Sequence, residues 1–194
     1  MDRSFWSDAL RDGALLGLAM ALSRTFENYL QLQVDMPIMT SYLILTVEML
    51  IVAGLFVWLL YRFVKRRSLS VDPRMGFNYG QGLIYAFTLS VLTGILVGLA
   101  NTLFVAVVGY QTYVDSLIAT LDRTAEFISG LDQTGAAVES YEKMADTLVE
   151  SLESSSRPSV FDNILASLNN YITWGTLSGL IIARIVRREP QQLN

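Results

Sequence analysis

The feature that most constrains this chain is a run of 28 residues, 83–110 (LIYAFTLSVLTGILVGLANTLFVAVVGY), without a charged side chain. A helix built from it is apolar on every face, so it belongs inside a protein or a bilayer. A bilayer core of about 30 Å accepts roughly 20 such residues. Residues 38–61 (IMTSYLILTVEMLIVAGLFVWLLY) fit the same description with one charge, Glu48. Residues 161–186 fit it too, with their apolar part concentrated over 171–186.

A fourth stretch, 9–30, has an uncharged centre of only 11 residues, 13–23, between Arg11 and Asp12 on one side and Arg24 and Glu27 on the other. A signal peptide and an interfacial helix are the alternatives. The charges before it are mixed and no A-x-A-like site follows it, which argues against a signal peptide. Trp6 and Tyr29 suit the two interfaces of a spanning helix. The reading is an all-α integral membrane protein, one membrane domain over 1–194. Its four transmembrane helices fall at 9–30, 38–61, 83–110 and 161–186.

Composition then narrows the chemistry. Apolar residues make up 52% of the 194-residue chain and charged residues 16%, against about 25% charge in a soluble domain. There is no His and no Cys. That excludes thiol nucleophiles, disulfides and His-based general bases, and leaves little for a structural zinc site. No nucleotide-binding fingerprint, cofactor motif or nucleic-acid signature is present. Gly76–Gly82 is glycine-rich but follows no strand and lacks the P-loop lysine; it serves better as a tight lead-in to the third helix.

Orientation follows from Lys and Arg near helix ends. Arg62, Lys65, Arg66, Arg67 and Arg74 follow the second helix against a single acid, Asp72; Arg184, Arg187 and Arg188 close the chain against Glu189. Residues 111–162 hold ten acids and three bases, a net charge of −7. The basic segments belong in the cytoplasm and the acidic one outside. Both termini are then cytoplasmic in a bacterial inner membrane. Lys65, Arg66 and Arg67 are candidates for lipid-headgroup contact, or more simply determinants of topology.

The acidic insert, 111–160, has apolar residues at helical spacing: Val114, Leu117, Leu121, Ala125 and Ile128, then Val138, Tyr141, Ala145, Leu148 and Leu152. This predicts an outer (periplasmic) helical hairpin over 111–129 and 136–154, with a turn near Gly130 and Gly135 and a linker at 154–158. Its acids lack calcium-loop spacing, so no metal is assigned.

Small residues recur every fourth position: Gly13 and Gly17; Ser90, Gly94 and Gly98; Gly175 and Gly179. Hydrophobic partitioning cannot drive helices together in lipid, so such stripes mark close packing. Packing within one bundle is favoured; homodimerisation or docking of another membrane protein is the alternative. Glu48 is expected near mid-membrane, with Arg24, Asn28 and Asn101 as partners. It is either a structural glutamate or a proton, cation or substrate contact.

FWSDALRDGALLGLAM, FNYGQGLIYAFTLSVLTGILVGL, GYQTYVDSL and YITWGTLSGLIIARIVRREP, in that order and spacing, resemble the bacterial membrane family named domain of unknown function 4199. The resemblance implies a four-helix inner-membrane protein with an outer insert. It implies no established activity, so no catalytic residue carries over. It also suggests an accessory role beside a polyprenyl-phosphate-type glycosyltransferase. The leading expectation is a non-enzymatic accessory or assembly subunit. A small transporter, flippase or channel subunit using Glu48, Arg24 and Asn101 is second. A lipid-modifying enzyme without His or Cys is a distant third.

Overall fold

The structure is a computed structural model and describes residues 3–32, 37–131, 136–154 and 157–190. The expected turn and linker fall partly at 132–135 and 155–156, outside the described residues. Six helices make up the fold: α1 (Arg3–Gln31), α2 (Ile38–Ser70), α3 (Tyr79–Val108), α4 (Tyr110–Leu131), α5 (Ala136–Ser154) and α6 (Val160–Val186). Of these, α2 and α3 are long and apolar enough to cross a membrane.

Each start and stop has a local cause. Asn78 caps α3 by accepting from the Gln81 amide, while the Gln81 side chain accepts from the Asn78 amide. Ser159 and Asp162 do the same for α6. These reciprocal bonds satisfy amide donors that a helix start leaves unpaired. Gly76, at φ 66°, turns the chain into this cap, and its α-carbon faces the Arg188 carbonyl so closely that an added Cβ would lie 2.8 Å from it. The left-handed φ and the close approach both call for glycine. Phe77 and Arg188 then form an isolated antiparallel bridge with bonds of 2.8 and 2.9 Å. Gly109, at φ 94°, ends α3 and kinks the chain directly into α4.

α2 runs nine residues past the expected end at 61. No Gly or Pro interrupts 62–70, and the chain stops being helical just before Asp72-Pro73. The basic residues 62–67 therefore sit on a helix and not in a loop.

α3 is the central element, with α6 and α1 packed along it and α2 beside α1 and α6. The small-residue stripes lie in these seams. An added Cβ would meet Leu92 from Gly13, Leu96 from Gly17, the Leu168 backbone from Gly94 and the Ile164 backbone from Gly98. Gly175 rests on Ser90 and Gly179 on Ala86. The core between the seams holds Leu16, Met20, Phe56, Leu60, Tyr85, Leu89 and Ile182. α2 places its fully buried residues from Phe56 onward, with Val52 and Leu55 packed partly buried against the core; nothing in its first half is fully buried. α4 and α5 pack on each other, and the Tyr141 hydroxyl donates to the Leu121 carbonyl at 3.2 Å.

Candidate functional site

Two layers of polar side chains cross the bundle. The first lies where α1, α2 and α3 meet. Asp12 is 1% exposed and accepts from the Tyr85 hydroxyl at 2.9 Å and from the Arg66 guanidinium. Arg11 Nε stands 3.7 Å away. One turn earlier, Asp8 accepts from Arg67 Nη1 at 2.7 Å, and Arg67 lies over the Phe5 ring. On the α6 side, the Ser68 hydroxyl donates to the Val186 carbonyl at 2.9 Å, and Arg188 donates to Ser68 and to the Val71 carbonyl. Four helices and the segment after α6 are tied here. Burying such charges is costly, so pairs like these fix register more than they add stability.

Of the expected headgroup residues, Arg66 and Arg67 turn toward α1, and Lys65 stays exposed over the Tyr61 ring. Asp8 and Asp12 were not singled out by sequence. A signal was present: Phe5, Ala9, Asp12, Leu16 and Met20 share the spacing of one buried helix face.

The second layer joins α1, α3 and α6. Asn28 is fully buried and donates to Asn101 Oδ1 at 2.9 Å. Asn101 donates to Asn163 Oδ1 at 3.3 Å, Asn163 to the Thr102 hydroxyl at 3.1 Å, and Thr102 to the Gly98 carbonyl at 2.9 Å. Arg24 pairs with Glu27 on its own helix at 2.5 Å.

Glu48 needs a correction. Among the described residues none of its expected partners is bonded to it: Arg24 holds Glu27, and Asn28 and Asn101 hold each other. Nor does it sit midway along the bundle. Arg66 of α2 pairs with Asp12, and Glu48 is 18 residues earlier, about 27 Å along the helix. The asparagine layer is about 24 Å from the Asp12 layer, measured from Asp12 to Asn28 on α1 or from Tyr85 to Asn101 on α3. Glu48 is therefore level with that second layer, within electrostatic reach of Arg24 and Glu27.

Both layers are hydrogen-bonded or ion-paired clusters of amides, hydroxyls, carboxylates and guanidiniums. Among the described residues no three His, Cys, Asp or Glu side chains converge as a metal site.

No curated protein and no solved structure matches the chain. The family model for the protein of unknown function DUF4199 matches residues 11–188. The match covers α2 to α6 and α1 from Arg11 onward, and with it the asparagine layer and Asp12, and the chain belongs to the DUF4199 family.

Proposed function

We propose that this is a non-enzymatic accessory subunit of the bacterial inner membrane, with four spanning helices, cytoplasmic termini and the α4–α5 hairpin outside. One observation carries the membrane assignment. The two polar layers lie about 24 Å apart, close to the thickness of a bilayer core. Between them α1 and α3 expose Leu15, Leu18, Leu22, Phe87 and Leu99, and α2 exposes Leu50, Ile51, Val57 and Trp58, with the exposed cations Arg62 and Lys65 confined to about the last 6 Å before the Asp12 layer. On α6 the exposed Trp174, Leu177 and Ile181 lie between exposed Asn169, Asn170 and Thr173 on one side and exposed Arg184 on the other. α1 and α6 thus carry shorter outward apolar stretches than α2 and α3, which are the helices long and apolar enough to cross a membrane.

The accessory role is supported by how the polar side chains are used. They fasten helices, and among the described residues no nucleophile, base and orienting group converge. The stripes of small residues are taken up within the chain, which leaves the first half of α2 as the least covered apolar helix surface for a membrane partner. A lipid-linked glycosyltransferase is the partner class proposed. A transporter built on Glu48, Arg24 and Asn101 is less well supported, because Arg24 and Asn101 are already engaged.

The chain has no native cysteine, so single cysteines report topology cleanly. Ser129→Cys on α4 is expected to react with an impermeant maleimide in spheroplasts, and Ser70→Cys only after lysis. The opposite pattern overturns the orientation. Mild-detergent purification from a native host is expected to recover a membrane glycosyltransferase with the protein. Recovery only as a lone monomer refutes the accessory role.

A further inference from the structure

The basic residues at the end of α2 divide into two groups with different work. Arg66 and Arg67 are consumed by Asp12 and Asp8. Arg62 and Lys65 are exposed and have no carboxylate partner among the described residues. Each instead lies over an aromatic ring one turn earlier: Arg62 over Trp58 and Lys65 over Tyr61, both at 5.4 Å from the ring centroid. At 3.6 residues per turn, Trp58, Arg62, Lys65 and Leu69 share one face, with Tyr61 at its edge. Trp58 and Leu69 are 52% and 63% exposed. The face therefore reads, in order along the helix, aromatic, two cations, apolar.

We propose that Arg62 and Lys65 form a binding site for the phosphodiester headgroup of an anionic phospholipid in the inner leaflet. The two cations are three residues apart, about 4.5 Å of helix rise, so one phosphate can lie between them. Trp58 and Tyr61 hold the cations over their faces. Leu50, Ile51 and Val57, deeper on the helix, are exposed and apolar, which suits acyl chains. A soluble phosphate ester gains nothing from that flanking apolar surface, and this selects a lipid. The proposal rests on the topology given above, which puts this end of α2 at the cytoplasmic interface.

The test uses the full chain in nanodiscs or detergent, with phosphatidylglycerol and phosphatidylcholine as probes and retained lipid read by native mass spectrometry. The parent is expected to prefer phosphatidylglycerol. Each basic residue near an anionic surface contributes about 1 kcal/mol, roughly a fivefold preference, so R62Q/K65Q is expected to lose about 30-fold. Arg67→Gln is expected to keep the preference while melting earlier, since it breaks a pair with Asp8 and not a lipid contact. Arg66→Gln is the parallel control where it folds. Retained preference in R62Q/K65Q refutes the site, and so does an equal loss in Arg67→Gln. Displacement of the lipid by millimolar inorganic phosphate also refutes it. Cysteine labelling at Ser70 and Ser129 reports the topology separately, so a wrong orientation and a wrong site give different results.

Discussion

Replacing Gly98 by alanine tests the central seam of the bundle. An added Cβ would lie 2.6 Å from Ile164 Cα and 2.9 Å from both the Ile164 nitrogen and the Asn163 carbonyl oxygen. Ordinary carbon–carbon contact is about 3.5–4.0 Å, so α6 must retreat by roughly 1 Å. The obstacle is backbone, and no rotamer change relieves it. A gap of that size forfeits up to about half of each dispersion contact nearby, including the Leu168 contact at Gly94. It also stretches the Asn163 bonds to Asn101 and Thr102. Overpacking costs about 1–3 kcal/mol, and this site belongs at about 3.

Two other glycines grade the effect. At Gly17 the new atom meets the Leu96 side chain, at 2.5 Å from Cδ1 and 3.0 Å from Cβ, and part of that clash can rotate away. About 1–2 kcal/mol is expected. At Gly54 nothing lies within 4 Å, and alanine is the better helix former by up to about 1 kcal/mol. Reversible denaturant titration in bicelles, followed by circular dichroism, should rank stability as Gly54→Ala, then Gly17→Ala, then Gly98→Ala. Equal stability of Gly98→Ala and Gly54→Ala would refute the close α3–α6 approach.

Two further substitutions probe the ends of the bundle. Asp12→Asn removes a buried partner of Arg66. Arg66 is about 43% exposed and can turn to water or headgroups, so the cost is about 2 kcal/mol, below the usual range for a broken buried pair. Tyr85→Phe removes one hydrogen bond to the same carboxylate and is expected to cost about 1 kcal/mol. Strict additivity in the double variant would show that the three groups do not act as one network. Asn78→Ala removes the α3 cap and is expected to lower stability by about 1 kcal/mol in the same titration; no change would mean that the cap is dispensable.

The helices were legible because their causes are local. Runs of apolar residues, their helical spacing and the breaks at glycine act within a few positions of themselves. Observed boundaries match expectation to a few residues except at the start of α1 and the end of α2. α1 begins six residues earlier than expected and α2 ends nine later. Both differences have one cause. Apolar content was used to mark the ends, yet charged residues extend these helices where Asp8 and Asp12 meet Arg67 and Arg66.

The position of Glu48 along the bundle is set by tertiary contacts. Its depth depends on where α2 is anchored, and the anchor is an ion pair 54 residues apart in sequence. The asparagine layer was only partly visible: Asn28 and Asn101 were noticed as partners for Glu48, but not as partners for each other or for Asn163.

The sequence by itself determined six helices, an acidic insert, basic ends and the family. Periodicity, capping and segregation of charge are properties of neighbouring residues. Only the tertiary structure decided which cations are spent and which are free, and at what depth each polar group lies. Those properties depend on which helix faces which. The same Arg side chain is a tether to α1 at position 66 and a free charge at position 62 because Asp12 stands opposite position 66, about 6 Å and 40° farther along the helix than position 62.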